Sequence, residues 1–508
     1  MRAILRSLYV RSLPGLAATA SLSALVGCGN GAVGGKDSAA NAVGGNTSAS
    51  SGGSTSQAGA GAGAQGGMAT GGAAGGSAAA GASGADSSGG SSGTSATSCD
   101  GDGLAGAGSA TRPSASNEEG CSIASGNGFE GHPGACVSTG QCSALTHVAT
   151  YCPEGTPPDL ALGVPTDIGP PVGPLGDGGG ALALTIDPSN TAILYAGLEF
   201  QNGGSPNNGL WRSKDGGASW TRLGTSDDNA YDCHSNYMDL PIRIEVDPEN
   251  SDHLYLTEGV RGAGNGFWVS WDAGESWIRA RSGDFTEMSV DPCDFCHVIV
   301  GSHASEPVGV LESTDGGYTW IDHPPPAGQG WSGGSYGLSF LHDPATCQGD
   351  PSTWLVHNEA MWKTSDSGGN WTKVSDIGGI HGFTTIYYAS NGDVYSGAYG
   401  RPGRSTDNGD SWAEVDGLIS AVYYGLTGDG TNVYAMPDGF PAPGPMMSSP
   451  ESVQNWTEFG NKQALARGMQ HPRFDPLSGN IYFVNNVTVY AVRVAEPSAA
   501  SASEGSCP

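Results

Sequence analysis

"SKDGGASW", Ser213 to Trp220, reads as a polar turn that ends in a large apolar ring. The pattern returns as "SWDAGESW" (Ser270–Trp277), "STDGGYTW" (Ser313–Trp320), "TSDSGGNW" (Thr364–Trp371) and "STDNGDSW" (Ser405–Trp412). A worn sixth copy, "SPESVQNW" (Ser449–Trp456), has Glu451 in place of Asp and Val453 in place of Gly. The tryptophans step by 57, 43, 51, 41 and 44 residues, a period in the range of propeller blades.

The context repeats as well. A strand-like run ends in Asp-Pro, a turn follows, then an apolar "LYxxx" run, then the octapeptide. "LALTIDPSNTAILYAGLEF" precedes the first copy, "IRIEVDPENSDHLYLTEGV" the second and "MSVDPCDFCHVIVGS" the third. Short runs of Val, Ile, Leu, Tyr and Trp split by Gly, Pro, Asn and Asp are strands and turns, and four strands per unit make a propeller blade. The octapeptide falls between the third and fourth strands. Its Asp can accept backbone N–H bonds, its Gly supplies a positive φ, and its Trp packs between blades.

After Trp456, "MQHPRFDPLSGNIYFVNNVTVYAVRV" (Met469–Val494) gives three more strands without an octapeptide. The expected fold is therefore all-β, a seven-bladed propeller over 175–497, with six blades the alternative count. A strand from the N-terminal side completes the last blade and removes the open edges. "THVATYC" (Thr146–Cys152) and "PDLALGV" (Pro158–Val164) are the candidates.

The N-terminus is of another kind. Arg2 and Arg6 precede an apolar run that ends in "LVGC", Leu25 to Cys28, the layout of a secretory signal. The cysteine behind small residues resembles a bacterial lipobox, which implies acylation of Cys28 and, with Gly29 next, an outer-membrane address. Of residues 29–98, 54 of 70 are Gly, Ala or Ser, too little apolar area to offset ordering entropy. They read as a disordered tether with a span of roughly 45 Å. Residues 99–174 form a cysteine-rich collar and 498–508 a tail. The net charge is −30, from 50 acidic and 20 basic residues, which argues against nucleic acid or anionic lipid as partners.

Ten cysteines besides Cys28 suit disulfides in an exported chain. "CDFC" (Cys293–Cys296) has no second CxxC or spaced His pair, so it reads as disulfide and not zinc. No cofactor or metal is expected; Asp227, Asp228 and Asp232 lack the spacing of a known calcium loop.

If the octapeptides share one face of the propeller, function belongs on the other, where the second-to-third-strand and interblade loops open. Those loops supply carboxylates Glu199, Glu258 and Glu359 as catalytic candidates. They also supply Arg261, His303, Trp331, Tyr336, His357, Tyr399, Arg401 and Asp438 as ligand contacts, with Trp331 and Tyr336 as exposed sugar platforms. Carboxylates and aromatics are what glycan binding or hydrolysis uses.

The octapeptide resembles the Asp-box of sialidase-type propellers. That resemblance assigns structural roles to Asp215, Trp220, Asp272, Trp277, Asp315, Trp320, Asp366, Trp371, Asp407, Trp412 and Trp456. Sialidases also carry a "RIP" motif and three axial arginines, where this chain has "PIRIEV" (Pro241–Val246). Xyloglucan-active endoglucanases are more similar: a glycine run like "GDGGGALALTIDP" (Gly176–Pro188) precedes their first strand, and their catalytic Asp follows an "LYA" strand, the position of Glu199. The "GGAYRW" that follows in that family is here "FQNGGSPNNGLW". Single seven-bladed propellers such as the photosystem II assembly factor, and sortilin-type receptors, use similar blades to bind proteins. The expected function is that of a monomeric, lipid-anchored propeller that binds an extracellular glycan or protein, with a glycoside hydrolase as the alternative.

Overall fold

The octapeptide turns join third to fourth strands, as their position requires. Blade 1 is Gly180–Ile186, Leu194–Glu199, Gly209–Ser213 and Thr221–Leu223; blade 2 is Pro241–Asp247, Asn250–Glu258, Gly266–Ser270 and Trp277–Ser282. The computed structural model describes residues 148–171, 180–199, 208–224, 234–235, 238–259, 265–303, 309–328, 331, 334–342, 347, 349–378, 384–438, 444–461, 465, 468–485 and 487–498, without the side chains of Ala181, Glu199 and His234. All lie in the second of two compact units, 92–508. The signal, Cys28, the tether, the collar up to 147, Asp227, Asp228, Asp232, Arg261 and the tail from 499 lie outside the described residues.

Blade 3 is Phe285–Asp291, Asp294–Ser302, Val310–Ser313 and Ile321–His323, and blade 4 is Gly337–Phe340, Trp354–His357, Met361–Thr364 and Thr372–Ser375. Blade 5 is Ile386–Tyr388, Val394–Ser396, Gly403–Ser405 and Ala413–Glu414; blade 6 is Leu426–Gly428, Asn432–Ala435, Met447–Pro450 and Thr457–Glu458. Blade 7 takes Gln470–Asp475, Asn480–Val484 and Val489–Arg493 from the C-terminal end. Its outer strand is Thr166–Asp167, paired Thr166↔Ala491 and Asp167↔Tyr490. Seven antiparallel blades close on themselves, with no helix among the described residues. His234–Ser235 adds a fifth strand to blade 2, and Ala398–Gly400 pairs with Ala421–Tyr423 in a separate ribbon.

The closing strand is neither of the two expected runs. Leu162 touches Arg493 and Thr150 touches Asn190 through isolated parallel bridges, while Leu160 and Ile168 fill the seam between blades 7 and 1. The ladder falls to the polar Thr-Asp pair because an outermost strand buries little and needs no apolar pattern.

The core is a ring. Seven apolar clusters occupy the seven seams: Leu198 with Val484, Tyr195 with Trp268, Phe267 with Val298, Ile299 with Phe340, Leu355 with Val394, Tyr395 with Val433, and Tyr434 with Phe483. Each fully buried side chain of this size contributes about 1.5–3 kcal/mol. Burial fades outward: second strands such as Trp354–His357 are wholly buried, whereas outer strands such as Ala413–Glu414 are exposed.

Each of the first five octapeptides ties itself. In blade 1, Ser213 Oγ accepts the N–H groups of Asp215 (3.3 Å) and Gly217 (2.8 Å) and donates to Asp215 Oδ1 (2.8 Å). Asp215 in turn accepts the Ser219 N–H (2.8 Å) and hydroxyl (2.5 Å). Two successive residues enter the left-handed region. The first tolerates Ala273, Ser367 or Asn408 (φ 56°, 51° and 54°), the second is always glycine, with φ from 75° at Gly368 to 97° at Gly317. Space as well as φ demands this, since a Cβ on Gly368 would stand 2.6 Å from His323 Cγ of the preceding blade.

Candidate functional site

Strand direction puts the ends of the second strands on the face opposite the octapeptides. There Glu258 ends the second strand of blade 2, opposite Pro241 and Gly266. It is 1% exposed, and its Oε1 accepts the Leu240 N–H at 2.8 Å. Burial, reinforced by the nearby Asp239 carboxylate, raises its carboxyl to about 7; the Leu240 N–H and Arg279 pull the other way without prevailing. Asp239 accepts a hydrogen bond from Asn208 Nδ2 (3.1 Å), and the Arg279 guanidinium lies 5.4 Å from the Trp268 ring centre.

Asp284 closes in from the connection between blades 2 and 3. A Cβ on Gly259, the residue after Glu258, would stand 2.7 Å from Asp284 Oδ1 and 2.6 Å from Phe285 O. Asp284 Oδ2 is 3.2 Å from His303 Nδ1, its carbonyl accepts the His303 N–H at 2.8 Å, and the Tyr336 ring lies 6.2 Å from the imidazole. Blades 2, 3 and 4 thus bring together a protonatable carboxyl, a carboxylate–imidazole pair and an aromatic ring. Such a set can donate and accept protons near neutral pH.

The other expected residues are elsewhere. Glu199 pairs through its backbone with Gly180. His357 is fully buried; its Nε2 donates to Ile377 O (2.9 Å), which leaves Nδ1 to accept from Ser396 Oγ (2.7 Å). Burial lowers its pKa to about 4, so it is a neutral strut between blades 4 and 5. Trp331 and Tyr336 are not exposed platforms. Trp331 packs 5.4 Å from Trp362 and 5.2 Å from Trp371 against the apolar cluster of blades 3 and 4, and Tyr336 is 5% exposed, its ring 6.2 Å from His303. Asp438 is buried in blade 6 and Glu359 is exposed on blade 4. Tyr399 is 58% exposed on the extra ribbon, beside Arg401, whose Nε donates to Leu418 O. Asp239 and Asp284 escaped sequence reading: each sits in a connection, and only the Gly that follows Glu258 hints at a close approach.

On the octapeptide face, Glu154, Arg212, Lys214, Asp215, Ser219 and Thr221 line a depression of about 230 Å³. Its charges are already paired, Lys214 with Glu154 at 2.8 Å and Arg212 with Glu275 at 2.7 Å, so the opposite face is the better site.

No family model matches the chain. It is 23% identical over 298 residues to a xyloglucanase of Hypocrea jecorina (strain QM6a), covering 46% of this chain and 32% of that one. It is 27% identical over 205 residues to a xyloglucanase of Paenibacillus sp, covering 38% and 15%. The chain therefore spans less than a third of the length of either relative. Among solved structures, an ancestral GH74 enzyme aligns with a TM-score of 0.47 and 16% identity over 64% of this chain and 46% of its own. YCF48 from Cyanidioschyzon merolae aligns with a TM-score of 0.44 and 10% identity, over 65% and 98%.

Proposed function

We propose that this protein is a glycoside hydrolase acting on a β-glucan of the xyloglucan type, with Glu258 as its proton donor. The observation that carries the reading is a carboxyl buried at the loop face beside Asp239, which burial pushes up to about 7, where a glycosidic oxygen needs an acid at neutral pH. In this reading Asp284, oriented by His303, serves the attacking water. The substrate class follows the names of the curated relatives. The octapeptides are Asp-boxes and purely structural. Acylated Cys28 and the Gly/Ala/Ser tether hold a monomer at the outer membrane, facing outward.

The test is release of reducing ends from xyloglucan and other β-glucans. Glu258→Gln lowers the rate by about 100-fold or more, the scale of a lost general acid. Wild-type activity falls as pH rises through about 7, because the carboxyl then loses the proton it must give. Undiminished turnover by Glu258→Gln removes the assignment.

Glycan or protein binding without cleavage is the second reading. It is favoured by the 1% exposure of Glu258 and the open ring face of Tyr399. Retention of wild type on an immobilised glucan, with no reducing ends released, would select it.

A further inference from the structure

A chain of acids and imidazoles runs through the seam of blades 3 and 4. His342 Nε2 stands 2.8 Å from Asp291 Oδ1, and Asp291 Oδ2 stands 3.4 Å from His297 Nδ1. His297 Nε2 and His323 Nε2 each lie 2.9 Å from an oxygen of Glu312. Phe340 and Trp354 pack edge-on against His297, and Trp354 against His323.

The His342 end differs from the rest. His342 is 4% exposed, and its Nε2 has no hydrogen-bond partner, since the 2.8 Å approach to Asp291 is out of line for one. Cys293 completes the group: donor atoms of Asp291, Cys293 and His342 lie within 4.8 Å of one another, and all three residues are buried. Cys293 is bonded to Cys347, so a second sulfur stands beside the first. Cys296, the partner suggested by "CDFC", is in a different disulfide.

We propose that, once the Cys293–Cys347 disulfide is reduced, Cys293, Cys347, His342 and Asp291 bind one zinc ion, and that disulfide and zinc are alternative closures of this seam. Two thiolates, one imidazole and one carboxylate oxygen form a four-donor set suited to tetrahedral zinc. The other oxygen of Asp291 faces His297, which orients the carboxylate from behind. Reduction by a phosphine adds two electrons and two protons to the disulfide while the phosphine takes oxygen from water. Zinc then displaces the two thiol protons. An oxidant that removes two electrons from the bound thiolates restores the S–S bond and releases the ion.

The test uses the full chain, treated with a phosphine and alkylated with iodoacetamide with or without zinc, each cysteine followed by mass spectrometry. Zinc slows labelling of Cys293 and Cys347 by more than about tenfold and leaves the chain's other cysteines unaffected. Cobalt(II) gives a thiolate charge-transfer band that zinc bleaches, and the unreduced protein shows none. His342→Ala and Asp291→Asn, checked first for native melting in the disulfide form, lose the band and the protection. Equal labelling of wild-type Cys293 and Cys347 with and without zinc overturns the proposal, and needs no variant to fold. Protection that persists in both variants overturns it too.

Discussion

The octapeptides of blades 5 and 6 start alike and stabilise different things. In blade 5, Asp407 accepts the Ser411 N–H (2.9 Å) and hydroxyl (2.5 Å), and Ser405 Oγ accepts the Gly409 N–H (2.8 Å), so the turn is held by its own residues. In blade 6, Glu451 turns away from its own loop. It accepts the Tyr387 hydroxyl (2.9 Å), the Ser390 N–H (3.1 Å) and the Ser390 hydroxyl, all from blade 5. Ser449 Oγ accepts the Asn455 N–H instead (2.9 Å), and Val453 is absent from the left-handed residues. One more methylene moves the carboxylate from the turn to the seam, and without the turn's bonds the glycine is no longer required.

The largest effect should come from exchanging the residue at the glycine position. Gly368→Val adds backbone strain and a collision with His323, about 3 kcal/mol or more, and lowers the thermal midpoint accordingly. Val453→Gly, at a site 51% exposed, changes stability by less than about 1 kcal/mol. Equal losses at both sites would end the distinction.

Next come the carboxylates. Glu451→Ala removes three hydrogen bonds that a buried carboxylate accepts from Tyr387 and Ser390 of blade 5 and costs about 1–3 kcal/mol. Asp215→Ala removes the acceptor of the Ser213 hydroxyl, Ser219 N–H and Ser219 hydroxyl within the turn and costs about 1–2 kcal/mol. Hydrogen exchange separates the two: the first variant speeds exchange in blade 5 around Tyr387–Ser390, the second only within Ser213–Trp220.

The smallest effect is on pH dependence. Hydrogen bonds from Ser411 lower the Asp407 carboxyl from 3.8 to about 2. Its contribution to stability is therefore present above about 4 and lost as pH falls through about 2. Glu312, held at about 2 by His297 and His323 against its burial, fades over a similar range. Asp407→Asn should flatten part of this acid limb in melts between pH 5 and about 2 and lower the thermal midpoint at pH 7, where the wild-type carboxylate is ionised, so that the two curves converge only at the acid end.

The sixth copy shows how far sequence reading reached. Ser, Asp, Gly and Trp at fixed spacing identify a turn because the bonds that make it run within eight residues. The same logic located the strands and the count of seven. It did not find Thr166–Asp167, since an outer strand two residues long carries no apolar pattern. Nor did it foresee that His357 would be a buried strut, or that Trp331 would lie against Trp362 and Trp371.

The site divides along the same line. Glu258, His303 and Tyr336 were legible as polar and aromatic residues at strand ends. That Glu258 holds its proton to about 7 follows from complete burial beside Asp239, a property of the closed ring and not of "LYLTEG". The sequence by itself determined the blades, because their turns and strand alternation are local chemistry. Only the tertiary structure decided which carboxyl is desolvated, which histidines are paired, and that Cys347 and His342 meet Asp291 and Cys293. Those properties depend on residues from different strands and blades packing into one seam.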